Sequence, residues 1–102
     1  MRRDEALAII RAHEAELRAL GVERIELFGS VARDEAGPGS DVDVLVDVTN
    51  EVRARPWGGY SQLDDVRRFL SRALTERVDA VRLPLSRKTF LDAIKDERVT
   101  AF

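Results

Sequence analysis

The run Asp41-Val42-Asp43-Val44-Leu45-Val46-Asp47-Val48 constrains this chain more than any other stretch. Valine returns at every second position, the period of a β-strand, whose successive side chains point to opposite faces. Val42, Val44, Val46 and Val48 therefore share one face, while Asp41, Asp43, Leu45 and Asp47 share the other. A strand this rich in valine and leucine belongs inside a sheet, and its opening carries two carboxylates separated by one residue.

The flanking sequence supplies the layers. Residues 4 to 20 read as a helix: Asp4 caps it, Leu7, Ile10, Leu17 and Leu20 recur at helical spacing, and Gly21 stops it. His13, the single histidine, falls on or beside that stripe and reads as a packing residue. Val22 to Phe28 reads as a strand, with Ile25 and Leu27 on one side and Arg24 and Glu26 on the other. It ends at Gly29-Ser30, Val31 to Glu35 can form a short helix, and residues 36 to 40 are a turn cluster. Thr49 to Tyr60 reads as a long loop. Ser61 caps the next helix, which buries Leu63, Val66, Leu70 and Ala73 and pairs Asp64 with Arg68 outside. Val78 to Leu83 is a third strand, and Pro84 ends it. A last helix starts at Ser86 or Arg87, with Phe90, Leu91 and Ile94 as its apolar contacts. The short link between the first two strands permits an antiparallel pair, and the helical crossover to the third favours a parallel one. The expected architecture is α/β (α+β): a small mixed sheet with helices mainly on one face, in one domain over residues 1–102.

Composition removes several classes. With a net charge of −2, the chain lacks the strong basic balance of a non-specific nucleic-acid binder, although its 17 Lys and Arg suffice for a local patch. It has no cysteine, hence no disulfide frame and no thiolate metal site. No apolar stretch has the length of a signal peptide or membrane span, so a soluble, cytoplasmic protein is expected.

The chemistry lies at the strand ends. Asp41 and Asp43, two apart on a strand, stand about 6 to 7 Å apart at Cα and can lean together on metal ions. If the third strand lies beside the second, Asp79 completes a trio. Crowded carboxylates raise one another's pKa values, and a Mg²⁺ ion, which prefers oxygen ligands, offsets the repulsion. Gly29 lets backbone approach a phosphate, Ser30 adds a hydroxyl, and Arg33 lies about one helical turn further on. Antiparallel pairing brings Gly29-Ser30 beside Asp41, so phosphate donors and metal ligands surround one point. A nucleoside triphosphate held by metal ions is the ligand that suits both halves.

Gly29-Ser30, ten residues, then Asp41-Val42-Asp43 with Val44-Leu45-Val46 behind, resembles the signature of the DNA polymerase β-like nucleotidyltransferases. Val78-Asp79-Ala80-Val81 falls where that superfamily carries its third carboxylate, and Phe28-Gly29-Ser30-Val31-Ala32-Arg33 is similar to the minimal nucleotidyltransferase (MNT) branch. The resemblance implies transfer of a nucleoside monophosphate from ATP to an acceptor, with two Mg²⁺ ions. It implies that Gly29, Ser30 and Arg33 bind the nucleotide. Asp41, Asp43 and Asp79 would be both metal ligands and catalytic residues, with Asp79 helping to deprotonate the acceptor. Many MNT proteins are antitoxins paired with a HEPN ribonuclease toxin, some of which they adenylylate, so a HEPN-type partner and a hetero-oligomer are implied. Ala80, where an aliphatic residue is more usual, and the stretch from Asn50 to Tyr60 depart from the pattern.

Three readings follow. The first is an active protein adenylyltransferase, and the second an antitoxin that binds and masks its toxin with catalysis dispensable. The third, a small-molecule or RNA nucleotidyltransferase, generally needs an added substrate domain, for which 102 residues leave little room. The Arg53, Arg55, Trp57 and Tyr60 cluster reads equally as a base- or partner-contacting surface and as a solvated loop with one anchoring aromatic.

Overall fold

Residue alternation does set the strands. The computed structural model describes residues 1–83 and 88–102, with Lys88 and Thr89 as helical backbone. In chain order its elements are α1 (Arg3–Ala12), α2 (Glu14–Ala19), β1 (Val22–Phe28), α3 (Gly29–Ala32), β2 (Val42–Val48) and α4 (Asn50–Arg53). A 3-10 turn at Pro56–Gly59 follows, then α5 (Ser61–Leu74), β3 (Val78–Arg82), α6 (Lys88–Ile94) and β4 (Val99–Thr100). The sheet order is β3-β2-β1-β4. β1 pairs antiparallel with β2, setting Phe28 opposite Asp43, and β3 pairs parallel with β2, setting Asp79 opposite Asp43. The expected mixed sheet and both strand directions are present. No helix among the described residues is long and apolar enough to cross a membrane.

Each sheet face has its own cover. Val42, Val44, Val46 and Val48 join Val22, Ile25 and Leu27 in the main core, under Leu7, Ile10 and Leu17 of α1 and α2 and Val66, Leu70 and Leu74 of α5. On the other face Phe28 and Leu45 meet Ile94, with Phe90, Leu91 and Val81 around them. α6 therefore covers the middle of the second face. The aspartates stay at one edge of that patch.

Several expectations are corrected by local hydrogen bonding. The first helix is two, because His13 turns its ring Nδ1 to the Ile9 carbonyl at 2.9 Å while its own N–H shifts to Ile10. The break leaves His13 edge-on to Phe69, a packing role as expected. Asp4 does not cap α1; the Arg3 N–H instead donates to Asp34 Oδ1 at 2.9 Å. Ser61 lies inside the first turn of α5 and makes no cap, and the buried face of α5 runs through Gln62, Val66, Leu70 and Leu74. Asp64 does pair with Arg68, at 2.8 Å.

The stretch from Thr49 to Tyr60 is not a plain loop. Thr49 Oγ1 accepts the Val52 N–H and starts α4, so Val52 is buried beneath Gly21 and Gly59. The short helix in Gly29–Ala32 begins two residues earlier than expected. β4 was without a sequence signal, since two residues show no period. The expected stop at Pro84 and helix start at Ser86 or Arg87 lie outside the described residues.

Candidate functional site

The site begins where β1 ends. Gly29 follows Phe28 with φ +75, a left-handed conformation that favours glycine, and a Cβ there would run into Asp43 Oδ2. Gly29 is thus the residue that lets the turn close onto the Asp43 carboxylate. The parallel register puts Asp79 beside Asp43 on the neighbouring strand, a spacing of about 4.8 Å between strands. Alternation sends both side chains to the face away from the main core. Burial first, then the nearby Asp79, Asp41 and Glu97, raise the Asp43 pKa, with Arg33 opposing them. Burial and like charge thus act in the same direction on Asp43.

Asp41 stands just before β2 and pairs with an arginine. Its Oδ1 lies 3.2 Å from Arg77 Nε, two residues before Asp79 on the adjoining strand. Asp41-x-Asp43 and Arg77-x-Asp79 therefore form two rungs in register, one of opposite charges and one of like charges. Among the described residues, no three acidic or histidine side chains are gathered closely enough to hold a metal ion as they stand. Asp43 and Asp79 are brought together, and Asp41 completes the set only by leaving Arg77. Asp47 sits further along β2, paired with Arg53 of α4.

The residues expected to bind phosphate have partners within the protein. Ser30 is half-buried beside Gly29, and its carbonyl accepts the Glu35 N–H at 2.8 Å. Arg33 is exposed at the end of α3, where its Nε meets Glu35 at 3.1 Å and its Nη1 meets Glu97 Oε2 at 2.6 Å. Glu35 first and Glu97 second raise the Arg33 pKa above its ordinary value. The Gly29 N–H donates to that same Glu97 oxygen at 2.8 Å. Glu97 and Arg77 are site neighbours that sequence reasoning missed. Arg77 is recoverable, since extending the Asp43–Asp79 register by two residues finds it. Glu97 follows α6 with no periodic signal, and only folding delivers it to Gly29.

The Trp57 and Tyr60 cluster lies at the other end of the sheet. Arg82, which pairs in register with Val46, donates to the Gly58 carbonyl at 2.5 Å and stacks on Tyr60 at 4.2 Å. Three residues of strand, about 10 Å, separate Arg82 from Asp79, so the cluster is remote from the aspartates. Trp57 is 94% exposed.

Comparisons with known proteins bear on the family and the fold. The model of the family described as "Nucleotidyltransferase domain" matches residues 10–100. The protein adenylyltransferase MntA of Thermococcus cleftensis is 51% identical over 45 residues, which is 43% of this chain and 46% of that protein. The match thus spans less than half the length of that relative. A solved candidate minimal nucleotidyltransferase superposes with a TM-score of 0.75 at 26% identity, over 97% of this chain and 95% of the other. A chain of the complex between tri-AMPylated Shewanella oneidensis HEPN toxin and MNT antitoxin gives a TM-score of 0.54 at 18% identity, over 89% and 70%. That last likeness concerns the fold alone. With a family model running from α1 to β4, the chain belongs to the nucleotidyltransferase domain family, and its fold is that of the minimal nucleotidyltransferases.

Proposed function

We propose that this chain transfers AMP from ATP to a protein acceptor and serves as the antitoxin of a HEPN-type ribonuclease toxin. The observation that carries the reading is the register of Asp43 against Asp79 with Gly29 closed upon Asp43. The relatives support it in kind: one is named a protein adenylyltransferase, and another fold-mate is an MNT antitoxin bound to an AMPylated toxin.

The residues fit a hard divalent cation such as Mg²⁺. The donors are all carboxylate oxygens, and Asp79, Asp41 and Glu97 stand near enough to Asp43 to add, after burial, to the rise in its pKa. Asp41, Asp43 and Asp79 would hold it, Asp41 exchanging Arg77 for the ion. When bound, the ion supplies charge neutralisation at the transferring and departing phosphates. Gly29, Ser30 and Arg33 hold the polyphosphate tail and orient the α-phosphorus. Asp79, exposed at the rim, accepts the proton as the acceptor oxygen bonds to that phosphorus and pyrophosphate departs. The test is transfer of label from α-labelled ATP to the toxin in the presence of Mg²⁺. The reading fails if no label moves, or if an Asp41→Ala/Asp43→Ala variant labels equally well.

A second reading has its own observation. Asp41 is tied to Arg77, and the Gly29 and Arg33 donors are tied to Glu97, so the cradle is closed by the protein's own side chains. An antitoxin that acts by masking needs nothing more. Growth rescue of toxin-expressing cells separates the two: under the masking reading the double-alanine variant rescues fully, and under the catalytic reading it does not.

A further inference from the structure

The proposed phosphate donors share one acceptor within the protein. Glu97 Oε2 takes the Gly29 N–H at 2.8 Å and Arg33 Nη1 at 2.6 Å. A single oxyanion receiving a backbone N–H and a guanidinium is what a phosphate oxygen would receive at the same place. Glu97 is well placed to hold this post. The turn after α6, in which the Glu97 and Arg98 N–H groups both return to the Ile94 carbonyl, fixes its backbone, and its side chain is only 16% exposed.

We propose that Glu97 is an internal occupant of the triphosphate cradle, an autoinhibitory carboxylate that an incoming phosphate group displaces. The inference rests on the nucleotide-binding reading above and adds a gate to it. Electrostatics give the gate its direction. Glu97 lies close enough to Asp43 to add to the negative charge around it, and its carboxylate is held there by Gly29 and Arg33. A phosphate group that arrives with a cation brings positive charge to the aspartates and takes the same two donors. Glu97 then has somewhere to go. An open cleft of about 490 Å³ beside it is lined by Arg3, Arg33, Asp96 and Val99, and Arg3 offers an alternative cation at its wall. The closed state sets aside binding-competent molecules, so apparent affinity falls by the fraction that is open.

Calorimetric titration of the whole chain with ATP and Mg²⁺ tests this, using wild type, Glu97→Ala, Glu97→Gln and Asp96→Asn. The expected result is an ATP Kd lowered about fivefold or more by Glu97→Ala. Glu97→Gln, which keeps the shape and removes the charge, moves it less in the same direction, and Asp96→Asn leaves it within about twofold. A carboxylate that merely braced the fold would, when removed, weaken binding. If wild type binds ATP and both Glu97 variants bind equally or more weakly, the gate is overturned and the nucleotide reading stands. An equal gain from Asp96→Asn also overturns it, because net charge alone would then suffice. No binding by any of the four overturns both. Should Glu97→Ala not fold, Glu97→Gln decides, together with the Gly29 amide resonance without ATP. That resonance shifts in Glu97→Gln if the contact exists, and an unmoved resonance removes the gate.

Discussion

Gly29 and Asp43 depend on each other at the scale of single atoms. A methyl group on Gly29 meets both an unfavourable φ and the Asp43 carboxylate, so Gly29→Ala displaces the central aspartate. The expected outcome is a stability loss of about 1–3 kcal/mol, read by chemical denaturation, with loss of label transfer that added Mg²⁺ does not restore. Asp43 itself behaves in the opposite sense. Its folded pKa is raised by burial and by its acidic neighbours, so the folded state holds the proton more tightly than the unfolded one. Ionising it therefore costs stability. That cost is absent below the ordinary aspartate range and fully present above the raised folded value. In the metal-free protein, Asp43→Asn should melt a few degrees higher than wild type at neutral pH. The gap should close as the pH falls through the acidic range, while transfer activity is lost throughout. A variant less stable than wild type at pH 7 would contradict this account.

At the scale of elements, the two sheet faces divide the labour. The valine face of β2 meets three helices and holds the fold; among the described residues, the helix on the other face is α6, which meets Leu45 and Phe28. Leu45 lies on the aspartate face yet is fully buried, because Ile94, Leu91 and Phe90 cover it. Truncating it leaves a cavity under α6. Leu45→Ala should cost about 2–5 kcal/mol, with amide-exchange protection lost across α6 more than across α5. The stretch from Thr49 to Tyr60 shows a different balance, in which one buried valine and one capping threonine organise a segment otherwise rich in arginine, glycine and proline. Gly59 closes against the Val52 carbonyl with φ +72, so even alanine there forces the backbone apart. The expected effect of Gly59→Ala is a lowered melting point with nucleotide affinity unchanged, since the aspartates lie at the far end of the sheet.

Over the whole molecule, early and late residues are stitched together by arginines. Arg11 of α1 donates to the Ala101 and Thr100 carbonyls at 2.7 and 3.1 Å, and Arg18 of α2 lies over the Phe102 ring at 4.9 Å. Arg98 meets Glu26 of β1 at 2.6 Å, and Glu26 is only 5% exposed. These contacts hold β4 on β1 and so fix the turn from which Glu97 reaches the site. Arg98→Ala leaves Glu26 buried with Arg24, at 3.6 Å, as its remaining cation. A loss of about 1–3 kcal/mol is expected, seen as a lower urea midpoint at constant slope.

Three of the strands and their directions were legible because period-two valines and a helical crossover leave few alternatives; the pairing of Asp43 with Asp79 followed only on the condition that the third strand lay beside the second, and β4 left no signal. The short helix after Thr49 and the break at His13 were not, because each rests on one side-chain hydrogen bond that competes with the backbone. Gly29, Ser30, Arg33, Asp41 and Asp43 could be named as candidates from residue type and spacing, and Asp79 on the condition that its strand lay beside β2. Their present partners could not. Arg77 takes Asp41 and Glu97 takes Gly29 and Arg33 by virtue of contacts between distant segments. The sequence by itself determined three of the sheet's four strands and which carboxylates share a face, since both follow from local periodicity. Only the tertiary structure decided that Asp41 pairs with Arg77 and that Gly29 and Arg33 both meet Glu97. Those outcomes depend on which charges chain folding brings within a few ångströms, and no local pattern records that.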